Sequence, residues 1–292
     1  MKAKVYFSKN ITEKQVVEMF KVLNKDLKGK VAVKVHSGEK GNQNYLHPEF
    51  FRDIISHVGG TIVECNTAYE GARNETHKHK ALMDEHRWTK YFDVDIMDET
   101  ADFPIPIVGG TVLKENFVGE HIKNYDSMLV LSHFKGHPSG GYGGALKQLS
   151  IGCASSKGKA WIHSGGKVTD QKILWSNCAE QKVFLASMAE SAKSVVDYFK
   201  GEICYVSVMC NMSVDCDCCA VAEDPCMKDI GILSSLDPVA LDQACIDLVY
   251  KSDDPGKHHL IERIESRFGT HTIDVADEIG AGTKNYELIC ID

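Results

Sequence analysis

The sequence predicts an α/β fold in which helices flank a mainly parallel sheet, with a cysteine-rich loop in the C-terminal half. Strand-like and helix-like segments alternate up to residue 65, and the alternation resumes at Ser127. Alternating strands and helices favour parallel strands joined by right-handed connections. Five of the eleven cysteines lie in the short stretch from Cys210 to Cys226. These observations place the chain among globular α/β proteins with one unusual loop.

The first part of the chain contains three predicted strands separated by two helices. The strands are predicted at residues 4–7, 31–35 and 61–65. Thr12 and Gln15 form a capping box for the first helix, and Gly29 is its predicted end. Pro48 opens the second helix, because proline suits a first helical turn, and Gly59 ends it.

The remaining elements are less regular. A polar helix is predicted over residues 74–88 and interpreted as a solvated surface helix, and residues 103–113 indicate a β-hairpin around Gly109 and Gly110. The later elements are a buried strand at 127–132, a helix at 181–199, a strand at 203–209, a helix at 237–249, two short helices and a closing strand at 286–291. No linker is evident. We therefore predict a single α/β domain over residues 1–292, with two closely joined lobes, 1–164 and 165–292, as the alternative.

The composition is that of an ordinary globular protein, with 43% hydrophobic and 25% charged residues among 292. The net charge of -8 and the lack of a basic stripe argue against nucleic acid as a partner. No apolar segment has the length of an export signal or a membrane span, so we expect a cytoplasmic protein with no membrane association. In that setting eleven cysteines indicate thiols, metal ligands or redox chemistry rather than disulfides.

Residues 132–164 contain the densest group of side chains that could act in catalysis or ligand binding. The segment contains His133, His137, Lys147, Cys153 and His163. Its glycines are Gly136, Gly140, Gly141, Gly143 and Gly144, followed later by Gly152 and Gly158. A buried strand that leads into a glycine-rich loop and then into a helix brings backbone amides to one point, where an anionic group can bind. Lys147 would add a positive charge one turn into that helix.

This arrangement predicts a cleft for an anionic ligand or small-molecule cofactor. We predict that His133 and His137 act as catalytic acid or base groups. The predicted ligand- or cofactor-binding residues are Ser139, Gly143, Gly144, Lys147 and His163. The alternative is a glycine loop that only turns a corner and leaves its histidines in solvent.

The cysteine-rich loop predicts a metal site. Thiolates packed this closely repel one another unless a cation or protons lie among them. In an extended segment Cys216 and Cys218 point to the same side, so they can share one metal, with Cys226 or Cys210 completing the set. Zinc, iron or an iron–sulfur cluster would suit such ligands. The alternative is a group of reduced, partly buried cysteines.

The chain resembles domain-of-unknown-function family 362. The residues that carry the resemblance are Cys216-Asp-Cys218, Pro225, the run from Asp229 to Ala244, Gly152-Cys153, and Gly158-Lys159 through His163. Members of that family are often described as uncharacterised iron–sulfur centre proteins, and many carry a ferredoxin-type insertion after the segment matching His163. Here residues 164–180 hold one cysteine, Cys178. The resemblance therefore implies a shared fold, without the cluster ligands of the insertion.

A shorter stretch is similar to the cofactor loop of the nickel-pincer lactate racemases. The matching residues, in order, are His137, Gly143-Gly144, Lys147, Gly152 with Ala154-Ser155, and His163. That similarity implies a cofactor-bearing role for Lys147, a nickel ligand at His163, and an acid or base at His137 or His133. The stretch departs from the racemase pattern at Leu146, where the racemases have arginine, and at Ile151, where they have proline.

Two classes of function follow from the sequence. The first is a metal-dependent enzyme whose cleft binds a small anionic substrate or cofactor. The second is a non-catalytic metal-binding or redox-partner protein that uses the cysteine loop and in which the 133–163 segment is only structural. A bound small anion would favour the enzyme.

Overall fold

The computed structural model describes residues 2–292 as twelve strands, ten α-helices and two short 3₁₀ segments. The strands are β1 (Ala3–Ser8), β2 (Val31–Lys34), β3 (Thr61–Glu64), β4 (Val94–Ile96), β5 (Asp102–Pro106), β6 (Glu115–Gly119), β7 (Ser127–His133), β8 (Lys135–His137), β9 (Gly141–Gly143), β10 (Ile203–Met209), β11 (Gly231–Ser235) and β12 (Tyr286–Cys290). The helices are α1 (Glu13–Lys21), α2 (Pro48–Val58), α3 (Thr76–Glu85), α4 (Trp88–Tyr91), α5 (Ala145–Cys153), α6 (Ser156–His163), α7 (Gln181–Tyr198), α8 (Pro238–Lys251), α9 (Lys257–Ser266) and α10 (His271–Glu278). The 3₁₀ segments are Glu120–Asn124 and Gln171–Ser176.

Eight of the strands form one sheet in the order β12-β1-β11-β10-β7-β2-β3-β4. Five of its strand pairs are parallel, and only β11 runs antiparallel to both neighbours. This confirms the mainly parallel sheet that the sequence predicted. Strand β7, predicted as the central strand, lies between β10 and β2, and all seven of its residues are buried.

The two faces of the sheet bury two separate apolar clusters. Met128 and Val130 of β7 join the cluster that includes side chains of α5, α7 and α8. Leu129 and Leu131 face the other way, into the cluster that includes side chains of α1 and α2. This alternation is the period of two expected for a strand covered on both faces. Each fully buried aliphatic side chain contributes about 1.5–3 kcal/mol by leaving water, so both helical layers hold the sheet in place.

The first two helices begin as predicted. The Thr12 hydroxyl accepts the Gln15 amide hydrogen at 3.1 Å, which caps α1. Helix α1 stops at Lys21, well before the predicted end at Gly29, and the chain soon adopts a left-handed conformation at Asn24 with φ of 50°. Pro48 occupies the first turn of α2, and Gly59 ends that helix in a left-handed conformation.

Two predictions in the middle of the chain are corrected by the structure. The polar helix is not wholly solvated, because His79 of α3 is fully buried and its ring Nδ1 lies 3.3 Å from Asn66 Oδ1. The hairpin pairs β5 with β6, so its second strand begins later than predicted. The buried Glu190 carboxylate explains this shift, because it accepts amide hydrogens from residues 111–113 and fixes them as a loop.

Strands β4 and β11 were not among the predicted elements, although both belong to the main sheet. Among the described residues, none of the helices has the length and apolar character that crossing a membrane requires.

Candidate functional site

A cavity of about 240 Å³ opens at the carboxyl ends of the central parallel strands. Lys34 and Glu64, the last residues of β2 and β3, lie in its wall. Open α/β sheets bind ligands at this edge, because the loops that leave neighbouring strands meet there. The cavity therefore occupies the part of the fold where the sequence predicted a cleft.

Residues 135–163 supply much of the cavity wall. Strands β8 and β9 form a small hairpin, and helices α5 and α6 follow it. Seven of the predicted site residues line the cavity: His137, Ser139, Gly143, Gly144, Lys147, His163 and Cys218. The close packing of this hairpin needs glycine at position 136, since a Cβ there would lie 2.2 Å from the Val214 carbonyl oxygen.

His137 lines the cavity, and one of its ring nitrogens faces the cysteine loop. Its Nδ1 accepts the amide hydrogens of Ser139 and Gly140 at 3.1 and 2.8 Å. Burial, followed by the nearby Lys147 charge, lowers the pKa of His137. The neutral ring must then carry its proton on Nε2, which lies 3.7 Å from the sulfur of Cys218. His137 is thus fixed as a hydrogen-bond donor.

His133 lies behind the cavity wall rather than on it. Its Nδ1 is 2.9 Å from an oxygen of Asp217, and its Nε2 is 2.6 Å from the Cys210 carbonyl oxygen. Both ring nitrogens therefore face acceptors inside the protein. This geometry suits His133 to positioning the cysteine loop.

The start of α5 does not offer free amides, contrary to the sequence analysis. The Asp242 carboxylate accepts the amide hydrogens of Ala145 and Leu146 at 2.8 and 3.0 Å. Burial raises the pKa of Asp242 to about 6, although these hydrogen bonds oppose that rise. Because a carboxylate from α8 already accepts these two amide hydrogens, an anionic ligand cannot use them.

Asp217 holds the cysteine loop in place. Its carboxylate contacts His133 and lies 2.6 Å from the Lys135 ammonium, while its backbone carbonyl accepts the Glu39 amide hydrogen at 2.8 Å. Burial alone would raise the pKa of Asp217, but the charges of His133 and Lys135 hold it well below its usual range. With Asp217 anchored in the interior, its neighbours Cys216 and Cys218 are fixed in position as well.

The ligand atoms of His36, Cys216 and Cys218 lie within 4.8 Å of one another, close enough to hold one metal ion. It is the one such group of three among residues 2–292. Cys210 and Cys226, the other two predicted ligands, lie outside it. Burial raises the pKa of Cys210 to about 12, and the Cys226 thiol lies 3.2 Å from the Met212 carbonyl oxygen.

The pKa values of the two sulfurs in this group shift in opposite directions. Burial would raise the pKa of Cys216, but a hydrogen bond with Cys218 and the positive charge of Lys147 lower it well below its usual value. The pKa of Cys218 is raised well above its usual value by its hydrogen bonds with Cys216 and Cys219. The Lys147 ammonium lies 3.6 Å from the Cys216 sulfur. Negative charge on this pair is therefore favoured at Cys216 over Cys218.

The two sulfurs of this group favour a soft or borderline metal ion. The imidazole of His36 is neutral, because burial and then Arg73 lower its pKa well below the usual value. Its Nδ1 accepts the Gly38 amide hydrogen at 3.1 Å, which leaves the ring proton on Nε2. A metal bound to His36 would have to displace either the Nε2 proton or the hydrogen bond from Gly38, because both ring nitrogens are occupied.

Four lysines line the cavity, and the sequence analysis singled out only one of them as a binding residue. Lys34 pairs with Glu64 at 2.8 Å, and Lys135 pairs with Asp217. Lys159 is the fourth. A charged residue within an apolar strand is unusual, so Lys34 in the strand VAVK could have been recognised from the sequence as a cavity lysine.

Part of the cavity wall is apolar and includes Leu174, Trp175 and Phe184. His163 stacks on Phe184 with ring centroids 4.5 Å apart, and Trp175 lies 5.9 Å from the same imidazole. Burial, followed by the charges of His137 and Lys147, lowers the pKa of His163 to about 3. The ring is therefore neutral at physiological pH. Among the described residues, no side chain or backbone group hydrogen-bonds to its nitrogens, which leaves them available to a ligand.

Comparison with known proteins identifies the family. The model of the family described as Domain of unknown function (DUF362) matches residues 31–247, so the chain belongs to that family. No curated protein sequence matches the chain.

Two solved structures are similar to this chain. One is a protein from Thermotoga maritima, with 10% identity and a TM-score of 0.42, covering 91% of this chain and 59% of that protein. The other is the lactate racemase apoprotein from Thermoanaerobacterium thermosaccharolyticum, with 12% identity and a TM-score of 0.40, covering 70% of this chain and 50% of the racemase. This chain thus spans 59% of the first structure and half of the second. At this level of similarity neither one assigns a reaction to it.

Proposed function

We propose that this member of the family is a metal-dependent enzyme that binds a small anionic molecule in the cavity beside a soft metal held by Cys216 and Cys218. The observation that carries the proposal is the position of Lys147. Its ammonium lies 3.6 Å from the Cys216 sulfur, and the same side chain lines the cavity. A ligand that reaches Lys147 is therefore next to the sulfur group.

The charges around the cavity support an anionic ligand. Lys147 has no carboxylate within 4 Å among the described residues, whereas Lys34 and Lys135 each have one. The Cys216 sulfur is the one hydrogen-bond partner of the Lys147 ammonium among the described residues, so its other N–H donors remain available to an anion from solution. The Nε2 hydrogen of His137 supplies a second donor on the same side.

Three histidines have distinct roles in this proposal. His137 donates a hydrogen bond to the bound molecule and increases the polarity of the group it contacts. His163, neutral and without a protein partner, offers one ring nitrogen as a hydrogen-bond acceptor and the other as a donor, so it can relay a proton within the cavity without holding it. His133 is a positioning residue, because its contacts are with Asp217 and Cys210 and not with the cavity.

The metal would be held by the two sulfurs, with His36 as a third ligand. A soft metal at this position would supply Lewis-acid or redox chemistry. Binding would also release the proton of Cys218, because a metal coordinates the thiolate form. The lowered pKa of Cys216 reduces the cost of deprotonating that sulfur.

Calorimetric titration of anaerobically purified protein with propionate tests the anion site. We expect binding in the wild type and a loss of roughly 1.5–3 kcal/mol in Lys147→Met, the size of a charge-assisted hydrogen bond. Lys157→Met is the matched control, because Lys157 also follows the glycine loop but pairs with Asp102 outside the cavity. Absence of anion binding, or equal weakening in both variants, would contradict the proposal.

Elemental analysis of the same preparation tests the metal site. We expect a transition metal in the wild type and its loss in the double variant Cys216→Ser with Cys218→Ser. Retention of metal by the double variant would place the metal elsewhere. If the protein binds propionate but no preparation contains metal, the anion site stands and the metal-dependent activity does not.

A further inference from the structure

Lys159 differs from the other three lysines of the cavity in having no anionic partner. Lys34 pairs with Glu64, Lys135 pairs with Asp217, and Lys147 lies beside the Cys216 sulfur. The Lys159 ammonium has one partner among the described residues, the carbonyl oxygen of Ala154 at 2.6 Å. The side chain is 7% exposed and lines the cavity. A buried amine with one neutral acceptor can lose its proton at low cost.

Helix α6 presents Lys159 together with His163. The two residues are four apart, so they lie on the same face of the helix about one turn from each other. Both line the cavity. His163 has no hydrogen-bond partner among the described residues, so its imidazole is free to exchange protons with a group bound at Lys159. This pair is an amine with a neutral acid–base group beside it.

We propose that Lys159 is a nucleophile that forms an imine with a small 2-oxo acid whose carboxylate contacts Lys147. This inference rests on the anion site of the proposed function and names the class of molecule it takes. The nitrogen lone pair of Lys159 attacks the carbonyl carbon, and a proton moves from nitrogen to the carbonyl oxygen. The resulting carbinolamine loses water as the carbon–nitrogen double bond forms. His163 carries the protons between nitrogen and oxygen.

The surroundings of Lys159 support this assignment. Burial lowers its pKa, and the positive charge of Lys34 acts in the same direction, while Cys65, Asp98 and Glu64 oppose it. A lysine nucleophile needs its free amine, and a desolvated pocket with a second cation nearby is a known way to obtain it. The cavity volume of about 240 Å³ suits a molecule of a few heavy atoms.

Reductive trapping tests the imine. The wild-type protein is incubated with pyruvate or with glyoxylate in the presence of cyanoborohydride, and the modified lysines are identified by peptide mass analysis. We expect the main adduct on Lys159, and its loss in Lys159→Arg. Lys157 provides the internal comparison, since its side chain is 40% exposed and lies two residues away on the same helix. Labelling of Lys157 equal to or above that of Lys159 overturns the proposal.

Propionate separates this proposal from the one on which it rests. It carries the same carboxylate as pyruvate but no carbonyl group to attack. If propionate binds and neither oxo acid forms an adduct on Lys159, the imine proposal is wrong and the anion site stands. If propionate does not bind, the anion site itself fails. Adduct mapping in the wild type does not depend on whether the Lys159→Arg variant folds.

Discussion

The ammonium of Lys147 lies 3.6 Å from the sulfur of Cys216, and this contact joins the glycine-rich segment to the cysteine loop. The two residues are 69 positions apart in the sequence. Each explains the charge of the other. Burial opposes a charge on either group, but Cys216 raises the pKa of Lys147, and Lys147 helps to lower that of Cys216.

Replacing Lys147 by methionine should raise the pKa of the Cys216 thiol. Without the neighbouring cation, burial favours the neutral form of the sulfur. The measurement is the ultraviolet absorbance of thiolate in metal-free protein as a function of pH. Lys157→Met should leave the titration unchanged. A titration in Lys147→Met identical to that of the wild type would show that other groups hold the charge of Cys216.

Replacing Asp217 by asparagine should destabilise the protein by about 3–5 kcal/mol at neutral pH, because it leaves the buried Lys135 without its partner. Chemical denaturation measures this directly. The effect should depend on pH in one direction. The folded-state pKa of Asp217 is lowered, so its contribution is complete above the unfolded value of about 3.9 and is lost as the pH falls through the folded value. The variant should therefore lose less stability than the wild type below about pH 4.

His163 should make the protein less stable as the pH falls from about 6.5 towards about 3. The unfolded chain binds a proton in that window and the folded chain does not, so the free energy of unfolding decreases with falling pH. His163→Phe removes the titrating group and can still stack on Phe184. Its stability should vary less than that of the wild type over the same window. If the free energy of unfolding of the two proteins has the same pH slope, His163 titrates alike in the folded and the unfolded chain.

Gly136→Ala should destabilise the protein strongly, because its Cβ would lie 2.2 Å from the Val214 carbonyl oxygen and neither backbone can move freely. Gly71→Ala is the control, because its nearest contact would be an ordinary 3.8 Å. Thermal unfolding of the two variants measures the difference. Similar melting temperatures for both would show that the hairpin β8-β9 can shift away from the cysteine loop.

The sequence predicted the fold because local patterns encode it. Alternating apolar runs and helix caps identified β7 as the central strand, and Thr12 as the cap of α1. Strands β4 and β11 were not predicted from the sequence. Strand β4 has only three residues, and β11 runs antiparallel to both of its neighbours, β1 and β10. Their pairing depends on distant parts of the chain rather than on their own composition.

The candidate site was only partly predictable for the same reason. His137, Lys147 and His163 share one cavity, and each belongs to the segment that the glycines and histidines marked. The partners that decide their chemistry are far away in sequence. The Asp242 carboxylate, 97 residues further along the chain, accepts the amide hydrogen of Ala145 at the start of α5. Such pairings follow from the assembled sheet, which no local pattern specifies.

The most direct test of the account is a titration of the reduced, metal-free protein with Co²⁺ under anaerobic conditions. Thiolate ligands give cobalt an intense ultraviolet charge-transfer band, so the spectrum reports sulfur coordination. We expect the band to saturate at about one equivalent per chain, to disappear in Cys216→Ser with Cys218→Ser, and to persist in Cys226→Ser. A wild type without the band, or a double variant that keeps it, would contradict the metal site at Cys216 and Cys218.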